Sequence, residues 1–393
     1  MTADSDYDTM QESVFSDEEG TAAAEWTHLP PEREFFASPY DPPVKALIAE
    51  IREKELIARP TFQRNAVWDR RRRSKFVESI LLNIPIPNLF FAEDDDGTKV
   101  VVDGQQRLLA LKDYVENSFR LGGLEVLHRL NGMQFGDLTE RQQRIINNRT
   151  LRCLVISAKS DSEIRFEVFE RLNTGGLPLN AQEVRHCVFR GGLNDLLHEL
   201  ATERSWLALL GRDNPDPRMN DCELILRFFA VRHALPSYAP PLKTLLNHYM
   251  KTNRYAEKNA LDEMRSAFLT TVDAVSKSFA GHPFRRAQLI EQGIAEWDNS
   301  LNRAVYDVQM LVMEGVDPVW VVANTAEIEA RFVALCVDDQ HFSDCVSRAT
   351  ANKTRMDYRL AVWNEALRGL GAVLPFSGRI PPRPDQQESI DAQ

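Results

Sequence analysis

One stretch constrains the fold of this chain more than any other: Leu89 to Val115. An apolar run, Leu89 to Ala92, meets the turn Asp94-Asp95-Asp96-Gly97 and returns as a β-branched run, Thr98 to Val102. Two such runs joined by a loop ending in Asp-Gly form an antiparallel hairpin. The second run leads directly into Asp103-Gly104-Gln105-Gln106-Arg107. The apolar period then lengthens, and Leu108, Leu109, Leu111, Tyr114 and Val115 mark an amphipathic helix. A strand, a Gly turn and a helix in direct succession aim free backbone N–H groups, with the positive end of the helix dipole, at one point. An anion, phosphate above all, suits that point. Arg107 adds a bidentate fork, and Gln105 and Gln106 donate or accept. The same residues also fit a plainly capped helix, with Asp103 as N-cap and Gly104 as the tight turn.

The chain has 393 residues, room for two or three domains of ~150 residues each. Hydrophobic residues make up 43%, enough for a substantial core. A formal charge of -11 argues against a surface that grips nucleic acid as a whole, and leaves room for a local basic groove. The five cysteines are scattered without CxxC spacing, as buried or incidental thiols of a reducing cytosol. No apolar run approaches the ~18 residues of a membrane span. The N-terminus is acidic, unlike a signal peptide. A cytoplasmic protein with no membrane partner is expected. No P-loop, GxGxxG, HExxH, Cys/His zinc cluster or GxSxG elbow is present.

Four regions are expected. Residues 1–40 form an acidic, disordered tail (Asp4, Asp6, Asp8, Glu12, Asp17, Glu18, Glu19) that either solubilises the chain or covers a basic groove. Residues 41–192 mix strands and helices. Within them Asp69 caps a helix carrying Phe76, Val77, Ile80 and Leu81, which stops before Pro85. Residues 193–375 repeat almost wholly at helical spacing, and 376–393 form a flexible tail. The fold class is therefore α+β: a small mixed core followed by a mainly α-helical domain.

Four further segments carry possible chemistry. Gln63 and Arg64 lie in an extended Pro60-Thr61-Phe62-Gln63-Arg64 segment, with Trp68 beyond. Functionally read, Arg64 covers a phosphate and Gln63 sits near its nucleophile; otherwise Arg64 is a solvated charge beside two core aromatics. Phe169 to Asn180 reads F-E-R-L-N-T-G-G-L-P-L-N. There Asn173, Gly175 and Gly176 either line the same pocket or make a helix end, with Asn180 and Glu183 forming the next helix's capping box. Arg70, Arg71, Arg72 and Arg73 open a helix, where positive charge is unfavourable, which fits an acidic partner such as DNA or a solvated face. Arg218-Met219-Asn220-Asp221 precedes a buried helix, with Asp221 as its cap or the whole segment docked on the first domain's pocket.

Taken in order, PTFQR, the Pro85-Ile86-Pro87 break, the hairpin ending in DGQQR-L and the F-E-R-L-N-T-G-G-L-P-L-N segment resemble the GmrSD restriction-enzyme N-terminal domain family. The resemblance covers roughly residues 41 to 230, and Arg218 and Asp221 are similar to the family's later motif. It implies a ParB/sulfiredoxin-like core whose DGQQR turn binds, and often hydrolyses, a nucleoside triphosphate in bacterial defence against phage or modified DNA. Carried over, Asp103, Gly104, Gln105, Gln106 and Arg107 form the nucleotide site. Gln63 and Arg64 stand beside it, and Asn173, Gly175 and Gly176 close it. Arg64 and Arg107 would stabilise phosphate charge, Gln63 and Gln106 would join the catalytic set, and Asp103 would hold Mg²⁺ or position water. Unlike the best-understood members, this chain shows no His-Asn-His-type metal site, so DNA cutting would fall to a separate nuclease or effector chain, or the product would be something other than a cut. Two alternatives stay open. One is a nuclease or nickase in which Asp103 shares a metal with Glu170 or Glu183. The other is a nucleotide-switched adaptor whose Arg70 to Arg73 run contacts DNA.

Overall fold

The computed structural model describes residues 34–58, 68–172, 179–235, 237–279, 281–289, 295–375 and 377–380. Gln63, Arg64, Asn173, Gly175 and Gly176 lie outside the described residues, as do the acidic residues 1–33 and the last residues from 381. The fold is α+β, as the sequence predicts, and the chain divides into two compact units.

The first unit spans 28–190 and takes back the short segment Asp216–Asn220. Five strands make its sheet: β1 (Ala37–Tyr40), β2 (Leu56–Ile57), β3 (Leu89–Glu93), β4 (Lys99–Asp103) and β5 (Cys153–Ile156), in the order β1-β5-β3-β4-β2. β3 and β4 form the predicted antiparallel hairpin, closed by Asp94 N–H to the Thr98 carbonyl at 2.8 Å and by Gly97 at φ +82°. β3 runs parallel to β5, and β1 antiparallel to β5. Helices α1 (Val44–Glu53), α2 (Arg70–Leu81), α3 (Gln105–Val115) and α4 (Glu140–Asn148) share one core with Leu89, Phe91, Val101, Cys153 and Val155. The alternate residues Ala92, Val100, Val102 and Ile156 are buried too, so both faces of the central strands are covered. Helices α5 (Ser162–Leu172) and α6 (Ala181–Val188) complete the unit.

One expectation about this unit needs correction. Residues 37–40 were assigned to the acidic tail, yet they form β1 on the β5 edge. Pro39 is tolerated there because an edge strand need not donate on its outer side. The two-residue β2 has no sequence signature. Its pairing with β4 is what defines it.

Tyr114 of α3 is fully buried, its ring 5.4 Å from Phe119 and 6.0 Å from Phe135. Its hydroxyl has no partner among the described residues. An orphaned buried hydroxyl costs about 1–3 kcal/mol, so Tyr114→Phe is expected to raise stability by about 1 kcal/mol in a urea titration. A lower midpoint would mean that the hydroxyl is satisfied.

The second unit is helical: α7 (Gly192–Ala201), α8 (Arg204–Leu209), α9 (Asn220–Ala234), α10 (Leu242–Thr252), α11 (Lys258–Ser278), α12 (Arg303–Val312), α13 (Pro318–Asp338), α14 (Gln340–Ser347) and α15 (Lys353–Gly369). A small antiparallel hairpin, β6 (Ala287–Leu289) and β7 (Ala295–Trp297), interrupts what reads in sequence as all helix. α9 begins at Asn220, so Asp221 lies inside its first turn and is not its cap. The stretch assigned to a flexible tail from 376 begins with a short turn at Ser377–Arg379, where Ser377 Oγ accepts from Asn364 at 3.1 Å. At the centre, Asp307 of α12 takes a bidentate pair from Arg227 of α9, both bonds 2.6 Å, and a third bond from Arg359 of α15 at 2.9 Å. All three side chains are at most 2% exposed. The five cysteines are free and buried. Among the described residues no helix is long and apolar enough to cross a membrane.

Candidate functional site: the turn between β4 and α3

The pairing of β3 with β4 shifts at its end. Phe91 lies opposite Val101, whereas Phe90 lies opposite Asp103, so Val102 is an extra residue on β4. Such a bulge bends the strand and re-aims the side chain that follows it. The side chain so placed is Asp103.

Gly104 comes next, at φ +91° and ψ 9°, in the left-handed region. It occupies the cap position of α3 and makes no side-chain cap. The expectation that Asp103 caps this helix is therefore corrected. Asp103 ends the strand, and its Oδ2 accepts from Arg107 Nη2 at 2.7 Å. The reason is geometric: the left-handed turn at Gly104 carries the chain away from Asp103 before the helix begins. Gly104 has no side chain to cap α3, and no described side chain accepts from the first-turn N–H groups of Gln105, Gln106 and Arg107. A Cβ on Gly104 would stand 1.9 Å from Leu89 Cδ2, so the backbone passes over the core with no room for a side chain.

The rim of the turn is polar. Arg107 Nη1 donates to the Pro87 carbonyl at 2.5 Å, so the Pro85-Ile86-Pro87 break supplies an acceptor that the sequence reading missed. The Arg107 and Asp103 side chains are 13% and 21% exposed, partly open to solvent. Gln105 and Gln106 are half-buried. Gln106 Oε1 accepts from the Trp68 backbone N–H at 3.4 Å, which ties the start of α2 to the turn.

The other predicted residues are placed as follows. Asp69 caps α2, accepting from Arg72 N at 2.7 Å. The four arginines after it do not build one basic strip, because consecutive helical positions fan out around the axis. Arg70 donates to the carbonyls of Arg120 (2.9 Å) and Leu121 (3.3 Å). Arg71 lies 3.5 Å from Glu125. Arg72 lies over the Trp68 ring at 4.9 Å. Arg73 pairs with Asp113 at 2.5 Å and covers Phe119 at 4.2 Å. Gly122 and Gly123 pass directly under Arg70 and Arg71, where a Cβ would come within 3.3 and 3.0 Å. The run thus clamps a loop of its own unit. Asn180 and Glu183 make the predicted capping box on α6. Arg218 joins them, its carbonyl accepting from Asn180 Nδ2 at 2.6 Å and its guanidinium 3.0 Å from Glu183. Among the described residues no group of three or more His, Cys, Asp or Glu is placed to hold a metal ion.

Residues 44–190 match the family model of the GmrSD restriction endonuclease, N-terminal domain. The match ends at Arg190, where the main segment of the first compact unit also ends. Asp103 to Arg107 lie well inside the matched span, and the helical unit lies outside it. No curated protein and no solved structure gives a significant match to the chain.

Proposed function

We propose that the GmrSD N-terminal domain of this chain binds a nucleoside triphosphate at the Asp103–Arg107 turn and hydrolyses it, as a component of a bacterial restriction or anti-phage defence system. The observation that carries the reading is the open first turn of α3. Three N–H groups and the helix dipole converge where no described side chain accepts from them, and Gly104 lets the turn lie close against Leu89. The family's name, that of a restriction endonuclease, supports the defence context.

The chemistry follows from an exchange of partners. Arg107 neutralises Asp103. An arriving phosphate offers the guanidinium a doubly charged, bidentate acceptor and displaces the carboxylate. Asp103 is then free to orient the attacking water. Water attacks the γ-phosphorus, the bond to the β-phosphate oxygen breaks, and Arg107 with the first-turn N–H groups holds the charge that builds up. Mg²⁺ fits this set as an ion carried by the phosphates with Asp103 as one protein ligand, in keeping with its habit of binding through one or two carboxylates. It would screen the phosphate charge when bound. Gln63, Arg64, Asn173, Gly175 and Gly176 are proposed as further walls on the resemblance alone. The nuclease alternative has less support, because Glu183 is already held by the Asn180 N–H at 2.7 Å and by Arg218.

Phosphate release from ATP, GTP, CTP and UTP with Mg²⁺ tests the reading. Arg107→Ala is expected to lower turnover by about 10²–10³-fold, the usual loss for a charge-stabilising donor. Asp103→Asn keeps an acceptor for Arg107, so it separates loss of chemistry from loss of the local fold. Equal turnover in wild type and Arg107→Ala would remove Arg107 from the mechanism. No turnover and no binding of any triphosphate by the wild type would remove the function.

A further inference from the structure

Trp68 stands immediately before the Asp69 cap of α2, half-buried, and its backbone N–H is anchored by the Gln106 side chain of the turn. Phe76 meets its ring edge-on at 5.6 Å and 72°. The Arg72 guanidinium lies over the ring at 4.9 Å. No described aromatic ring stacks parallel on it. Trp68 packs against the core of the unit, steadied at its edge by Phe76 and paired with the exposed Arg72 guanidinium, and a tryptophan held in this way offers a ring on which a nucleobase can stack. Gln106 links the Trp68 backbone to the helix turn, because the same residue belongs to the first turn of α3 and accepts from the Trp68 N–H at 3.4 Å.

We infer that Trp68, backed by Arg72, is the base-stacking wall of the phosphate site, so that the site takes a nucleotide and not a bare polyphosphate. The inference rests on the phosphate reading of the turn and adds what lies beyond the phosphates. Every base has a π-face, so the wall confers affinity for nucleosides with little choice among them. The role is distinct from charge stabilisation: it acts on ligand binding and leaves the polyphosphate contacts untouched.

The test is a calorimetric titration of the full chain with ATP and, separately, inorganic tripolyphosphate. Wild type, Trp68→Ala and Trp68→Phe are compared. Trp68→Ala is expected to weaken ATP about 5- to 150-fold, the value of one stacked base, and to leave tripolyphosphate unchanged. Trp68→Phe keeps a ring and is expected to retain most of the ATP affinity. ATP is also expected to quench indole emission where tripolyphosphate does not, and that difference should vanish in Trp68→Phe; this readout does not need the alanine variant to fold. Equal loss of both ligands, or no loss of either, overturns the stacking role. Tight tripolyphosphate binding with no preference for ATP in the wild type overturns it as well and leaves the phosphate reading standing. Binding of neither ligand by the wild type removes the phosphate reading and the wall together.

Discussion

Replacing Asp307 with asparagine is expected to destabilise the helical unit by about 3–5 kcal/mol, the usual consequence of stranding buried charges. Arg227 and Arg359 reach Asp307 from two other helices, and none of the three side chains is more than 2% exposed. Burial pushes the Arg359 guanidinium below its ordinary pKa, and the Asp307 carboxylate acts in the opposite direction. Asparagine would keep the shape, face two guanidinium groups with a neutral amide, and turn one acceptor atom into a donor. A typical domain is stable by only 5–15 kcal/mol, so about 4 kcal/mol is a large share of it. A urea titration should show a lower midpoint. A shift of under about 1 kcal/mol would mean that water reaches the arginines and screens them.

The second large effect is expected at Gly104. Alanine there must adopt φ near +91°, which costs an L-residue about 1–2 kcal/mol, and its Cβ would lie 1.9 Å from a core leucine methyl. Leu89 is 1% exposed and has little room to yield, so overpacking adds about 1–3 kcal/mol. Gly104→Ala is therefore expected to lower stability by about 2–5 kcal/mol and to tilt the turn away from its ligand geometry. A double-mutant cycle with Leu89→Ala separates the two parts. In that background the substitution should become milder by the overpacking share while the backbone share persists. Equal effects in both backgrounds would assign the whole loss to φ.

Several elements were legible because their rules are local. Asp69 before α2, and Asn180 with Glu183 on α6, are read correctly because a cap joins residues two or three apart. The β3–β4 hairpin follows from its turn. Other features were hidden because their partners are remote in sequence. β1 exists only through its pairing with β5, more than a hundred residues on. The arginine run reads as one basic patch, but helix geometry and the loop carrying Gly122 and Gly123 disperse it. The Asp307 cluster joins residues 80 and 52 positions away, beyond any pattern rule.

At the opening turn the division is clear. The sequence by itself determined that a strand ends in Asp-Gly, that a helix starts within two residues, and that Arg107 stands one turn from Asp103. Each is a matter of spacing along a single chain. Only the tertiary structure decided which residue sits at the cap, because a register shift at Val102 and the packing of Leu89 put Gly104 there and turned Asp103 toward Arg107. It also brought Trp68 to Gln106, through a contact 38 residues long that no periodicity encodes.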